Sequence, residues 1–197
     1  MDILEKSINF CNEQLRLNDC TYSFTILKPK EVNELNDKYA TDCYGASMFN
    51  IGIMSNYYVV VGTIAVDYDS NKKNVTIDST CVFTLFRKMK ISLLLRAAAF
   101  IFIYFLIEDG YTINYIESLA ANPITAYTLQ RWFGFNCSDD ILPVCIYYLD
   151  DNINIGSSTN TLYIKSLYIL DNYCHWIYFW MDKSAFIILV FFNLSIN

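Results

Sequence analysis

Residues 75–110, VTIDSTCVFTLFRKMKISLLLRAAAFIFIYFLIEDG, change pattern three times in one run. Val75 to Phe83 is rich in β-branched residues and reads as a strand. Phe86 to Lys90 is short and basic, with Arg87, Lys88 and Lys90 in a chain whose net charge is −6. A long apolar helix follows over 93–107, with Ser92 placed to cap it and Gly110 suited to a left-handed position after its end. A strand that feeds a helix N-terminus makes an anion site, because the free N–H groups point outward there. The alternative at 86–92 is a solvated basic loop.

The pattern continues on both sides. Downstream, Thr112 to Ala120 reads as a strand, and Asn122-Pro123 starts a helix that runs to about Phe133 and ends at Gly134. Ile141 to Leu149 is another strand. Upstream, Ile3, Leu4, Ile8, Cys11 and Leu15 mark a helix over 2–17, and Tyr22 to Leu27 is extended. Pro29 opens a helix to about Tyr39, with Glu31 and Glu34 near its start. Met48 to Met54 and Tyr57 to Asp67 form a hairpin about Ser55-Asn56, and 68–74 is a polar connection. Thr161 to Leu170, His175 to Trp180 and Ala185 to Asn193 look extended, with a hairpin turn at 181–184. The division is an N-terminal helix (1–20), a central domain (21–150) and a β-rich extension (151–197) that completes the sheet or forms an interface. The fold class is α/β (α+β), with a mixed, mostly antiparallel central sheet flanked by helices.

Composition narrows the function classes. The 197 residues are 54% hydrophobic and 17% charged, which excludes a disordered solvating chain. The acidic balance argues against nucleic acid as a partner. Ile91 to Ile107 is apolar apart from Ser92 and Arg96, but it sits at the lower edge of a membrane span and carries an arginine, so a buried core helix is expected and no membrane partner. Seven cysteines, no CxxC and one histidine, His175, leave no metal site to expect. The cysteines read as free thiols in a reducing compartment, the cytoplasm. Cys174 and His175 are adjacent and do not read as a nucleophile–base pair. The cluster Tyr173–Trp180 reads as core or as a protein–protein surface.

The order strand, basic loop, helix, strand, helix resembles the Gcn5-related N-acetyltransferases. Their signature is a strand ending in Val, an aromatic–Arg pair, and a loop Arg/Gln-x-x-Gly-x-Gly/Ala entering a helix. Here stand Val82, Phe86-Arg87, then Lys88-Met89-Lys90-Ile91-Ser92 and Leu93-Leu94-Leu95. The family continues with Gly near the helix end, a strand, an Asn and a helix closing in Gly-Phe. Here stand Gly110-Tyr111, INYIESLA, Asn122, Ala126 and Gly134-Phe135. With the Lys28–Glu31 junction, the likeness covers 22–150.

The resemblance implies acetyl-CoA as co-substrate, no metal, and an amine acceptor, protein or small molecule. It implies a cofactor site made of Val82, Phe83 and Thr84 at the strand end, of Arg87, Lys88, Met89, Lys90, Ile91, Ser92 and Leu93, and of Asn122. By the same resemblance the pantetheine arm is expected where strands 75–83 and 112–120 diverge, and the Val82 N–H, beside a bulge, is expected to face the thioester carbonyl. Glu117 matches a position where some protein N-terminal acetyltransferases carry the general base, and Asp78 competes for that role. Asn122 equally reads as a helix cap.

The chain departs from the pattern at two places. Lys90 and Ser92 replace the loop glycines, and no glycine occurs between Gly62 and Gly110. The family's acid Tyr before Gly-Phe is absent, with Leu129 or Gln130 in its place; Tyr127 lies one turn earlier and also reads as a core aromatic. These departures keep a second reading open, a catalytically degenerate acetyltransferase-like protein used as a binding or structural module. A homodimer through 151–197 is a further expectation.

Overall fold

The computed structural model describes residues 2–39, 47–87, 89–149 and 160–173. Helix α1 (Ile3–Leu17) begins at Asp2, whose carboxylate accepts the Leu4 N–H at 3.4 Å. Its buried residues Leu4, Ile8, Cys11 and Leu15 recur at helical spacing, as the sequence predicts. Strand β1 (Ser23–Ile26), helix α2 (Pro29–Tyr39) and strands β2 (Phe49–Met54), β3 (Val60–Asp69) and β4 (Asn74–Val82) follow. A 3₁₀ turn (Thr84–Phe86) leads to α3 (Ile91–Glu108). Then come β5 (Tyr115–Leu119), α4 (Pro123–Thr128), a π-helical segment (Leu129–Phe133), β6 (Asn136–Cys137) and β7 (Val144–Tyr148). Residues 160–173 are helical and form α5.

The seven strands make one sheet in the order β1-β2-β3-β4-β5-β7-β6. All neighbours are antiparallel except β4 and β5, which are parallel. The class is the mixed α/β one expected from the sequence.

Helix α3 is the centre of the core. Phe102 meets Phe49 of β2 at 4.8 Å between ring centres. Gly62 of β3 has no side chain because a Cβ there would stand 3.1 Å from Leu95 and 3.2 Å from Ile91. On the flank of α3, Phe10 of α1 lies 5.7 Å from Phe105, and Tyr163 of α5 stacks on Tyr104 at 4.3 Å. The helix is long and apolar enough to cross a membrane, yet 72% of it is buried inside the protein. Its place in the core explains the apolar run. Arg96 is buried on it, and burial lowers the guanidinium to about 10, which leaves it charged at neutral pH. The C-terminus follows the glycine rule. Gly110 takes φ 94°, Tyr111 N–H donates to Leu106 O and Gly110 N–H to Ile107 O, each at 3.0 Å.

Several expectations are corrected. Thr161 to Leu170 is helical, not extended. Leu162, Ser166, Ile169 and Leu170 are all buried at helical spacing, so packing overrides the β-branched and aromatic content. Ser92 is not the cap of α3, which starts at Ile91 with Lys90 as N-cap. The turn of the β2–β3 hairpin runs on to Tyr58, whose N–H donates to Ser55 O, so β3 begins at Val60. The cysteines are not all free. Cys137 and Cys145 face each other across β6 and β7 and form a disulfide. Cys20 and Cys81 are each in a disulfide as well, and Cys11 is a free buried thiol pushed up by burial. Residues 40–46, Lys88, 150–159 and 174–197 lie outside the described residues. With them go Cys43, Cys174-His175, His175 to Trp180, the turn at 181–184 and Ala185 to Asn193.

Candidate active site

The site is built on the parting of β4 from β5. The two strands pair from Asn74↔Tyr115 to Ile77↔Ser118 and no further. The cause lies in β4. Ala65 pairs with Ser79 and Val66 with Ile77, so Asp78 opposes no residue of β3. An extra residue bends a strand and increases its twist. Beyond this bulge β4 stays with β3 as far as Val82, while β5 continues beside β7, where Ala120 N–H donates to Pro143 O at 2.8 Å. Ser118 Oγ donates to Ile77 O at 3.4 Å, at the last shared pair. The bulge therefore lies four positions before Val82, not beside it.

Val82 faces the gap. Phe83 N–H donates to Val61 O at 3.1 Å, so the Gly62–Val82 pair is the non-hydrogen-bonded kind and the Val82 N–H and C=O point away from β3. Its carbonyl accepts the Arg87 Nε–H at 3.3 Å. That bond draws the basic loop onto the strand end. Phe83 is buried beneath it, and Thr84 is exposed at the start of the 3₁₀ turn.

Lys90 turns the chain into α3. Its φ of 60° and ψ of 8° lie in the left-handed region. That conformation costs an L-residue about 1–2 kcal/mol. The Lys90 carbonyl accepts Leu93 N–H at 2.9 Å and Leu94 N–H at 3.3 Å, and no side chain caps the helix. The N–H groups of Ile91 and Ser92 have no intrahelical acceptor. Met89, half-buried, packs on the core, while Ile91 and Leu93 are buried and anchor the first turn. Among the described residues, the loop thus offers two N–H donors and two cationic side chains, Arg87 and Lys90. Those groups fit a phosphate-bearing molecule, and the Val82 N–H fits a carbonyl in the gap.

The candidate catalytic side chains spread around the same parting. Glu117, half-exposed, pairs in register with Thr76, and Asp78, exposed, is the first residue past the last shared pair. Neither carboxylate makes a hydrogen bond or ion pair with a described residue. Asn122 caps α4, its Oδ1 accepting Thr125 N–H at 2.9 Å. Tyr127 is 59% exposed on α4, so it is not the core aromatic that its type suggests.

One contributor was not legible. Helix α5 reaches this loop, with Tyr173 under the Lys90 ammonium at 5.2 Å from ring centre to Nζ. Trp132 of the π-helical segment meets Tyr173 edge-on at 5.2 Å. The signal was the stripe Leu162, Ser166, Ile169, Leu170, Tyr173, which is helical in period. A groove lined by Tyr68, Lys73, Gly110 and Tyr111 opens at the other end of α3, away from these groups.

No protein-family model and no curated protein matches the chain. Solved structures do. The putative acyl-CoA N-acyltransferase from Klebsiella pneumoniae is 14% identical, with 66% of this chain and 98% of that chain covered and a TM-score of 0.49. Nourseothricin acetyltransferase is 10% identical, with 64% and 96% covered and a TM-score of 0.46. Arabidopsis thaliana Naa50, in complex with the bisubstrate analogue CoA-Ac-MVNAL, is 18% identical, with 64% and 98% covered and a TM-score of 0.44. The chain's own topology has one parallel pair in an otherwise antiparallel sheet, parting beyond a bulge, with the basic loop and α3 following the bulged strand.

Proposed function

We propose that the chain is an acetyl-CoA-dependent N-acetyltransferase that moves the acetyl group directly to a primary amine: a protein N-terminus, a lysine or a small amine. The observation that carries this reading is the gap between β4 and β5, with the Val82 N–H turned into it beside the loop that enters α3. An extended pantetheine arm bonds along such a strand edge as an added strand does. Arg87, Lys90 and the N–H groups of Ile91 and Ser92 hold the phosphates. The Val82 N–H stabilises charge that develops on the carbonyl oxygen.

Glu117 takes the proton of the amine, directly or through water, and Asp78 is its competitor. The nitrogen–carbon bond forms, the carbon–sulfur bond breaks, and sulfur leaves as a thiolate that is already accessible near neutral pH. The exposed Tyr127 need not act as acid for that step.

Calorimetry with acetyl-CoA tests the reading. Binding is expected, and no heat at high micromolar ligand overturns it. Glu117→Gln is expected to lower turnover about a hundredfold or more with CoA affinity unchanged. Unchanged turnover removes Glu117 from the role. Lys90 in the glycine position and Asn122 engaged as a cap favour the second reading, a degenerate binding module. That reading expects no turnover with any amine while the fold stays intact.

A further inference from the structure

We infer that α5 supports the loop entering α3, and that Tyr173 is a positioning residue which places the Lys90 ammonium for a phosphate-bearing acyl carrier. The inference rests on the acetyl-CoA reading and names a part of the site that lies outside the signature 82–135.

Tyr163 stacks on Tyr104 toward the C-terminal end of α3, and Tyr173, ten residues on, lies under Lys90 at the N-terminal end. The two helices therefore run antiparallel, and α5 reaches the loop at Lys90. It is firmly held. Leu162, Ser166, Ile169 and Leu170 are buried, and Asn18 Nδ2 at the end of α1 donates to Asp171 Oδ1 at 3.1 Å. The Tyr173 ring has its own brace, since Trp132 meets it at 86° between ring planes.

The choice of partner decides what Lys90 can do. Lys90 forms no ion pair with a described residue. A carboxylate in this position would neutralise the ammonium. An aromatic face attracts it through the ring quadrupole and leaves its charge and its outward N–H donors in place. Lys90 is exposed, so those donors stand at the mouth of the loop where the N–H groups of Ile91 and Ser92 are unpaired. The left-handed backbone at Lys90 points the same way. A residue of poor intrinsic preference stands there, and its side chain is held by a contact from a distant part of the chain.

The test uses the full chain with two ligands, CoA and pantetheine, which lacks the phosphates. Tyr173→Leu is expected to weaken CoA about three- to tenfold, the range of a cation–π contact, and to leave pantetheine unchanged. Tyr173→Phe keeps the ring and is expected to keep wild-type affinity. Equal affinity of Tyr173→Leu and wild type for CoA overturns the inference, and so does an equal loss of both ligands, which marks a general structural effect. Hydrogen exchange at the amides of 91–93 is read alongside. Faster exchange in Tyr173→Leu and not in Tyr173→Phe supports the loop role, and unchanged exchange in both overturns it. Wild-type protein that binds no CoA overturns the acetyl-CoA reading and the phosphate role with it. The exchange result then decides the support role on its own.

Discussion

Both ends of α3 are flanked by a residue of positive φ, and the two residues differ. At the C-terminal end Gly110 takes φ 94°, and a Cβ added there meets nothing within 4 Å. At the N-terminal end Lys90 takes φ 60° and bears a full side chain. The first end follows backbone preference alone. The second sets preference aside and places a cation where two helix N–H groups are free. A backbone conformation alone therefore does not reveal which residue stands in it; the chemistry around the turn must be read too.

Three substitutions break or sharpen this contrast. The largest effect is expected under the N-terminal end. Gly62→Ala puts a Cβ 2.8 Å from the Cys81 carbonyl and 3.1 Å from Leu95, so β4 or α3 must shift. A loss of about 1–3 kcal/mol in denaturant unfolding is expected, with weaker CoA binding because the strand end and the helix start move apart. Next is Gly110→Lys, which copies the N-terminal arrangement onto the C-terminal end. With open space around it, only the conformational cost remains, about 1–2 kcal/mol. CoA affinity, read by calorimetry, should not change. The smallest stability effect is the reverse exchange. Lys90→Gly relieves the left-handed strain but frees the unfolded chain, for a net gain within about 1 kcal/mol. The same variant should bind CoA several-fold more weakly. A Lys90→Gly protein with tighter CoA binding would show that Lys90 only obstructs the loop and would favour the degenerate reading.

Much of the fold was legible because its periods are strong. The apolar stripe of α1, the β-branched run of β4 and the Asn122-Pro123 start of α4 are local patterns that formed within a residue of where they are expected, while β3 begins three residues later than expected. Thr161 to Leu170 was misread because Tyr, Ile and Leu in a short run satisfy a strand and a buried helix alike. The face of α5 is set by Tyr104, Phe10 and the other residues it packs on, which no local window contains. The Cys137–Cys145 pair was missed for a similar reason. β6 is two residues long, and its register against β7 follows from the sheet. In the site, the strand end at Val82, the basic loop and the Asn122 cap were visible as motif and cap chemistry. The bulge at Asp78 was not located, since a bulge is a property of two strands in register. Tyr127 read as core because tyrosine is common in this chain, and packing left it outside.

By itself the sequence determined the order of the elements, the apolar helix at the centre and the positive loop before it. Side-chain period and local charge act over a few residues, and these features need no more. The tertiary structure alone decided the parting of β4 from β5, the direction of the Val82 N–H, the left-handed turn at Lys90 and the arrival of Tyr173 beneath it. Each depends on groups far apart in the chain being held together by a common core. Physical contact between them exists only once α1, α3 and α5 have packed.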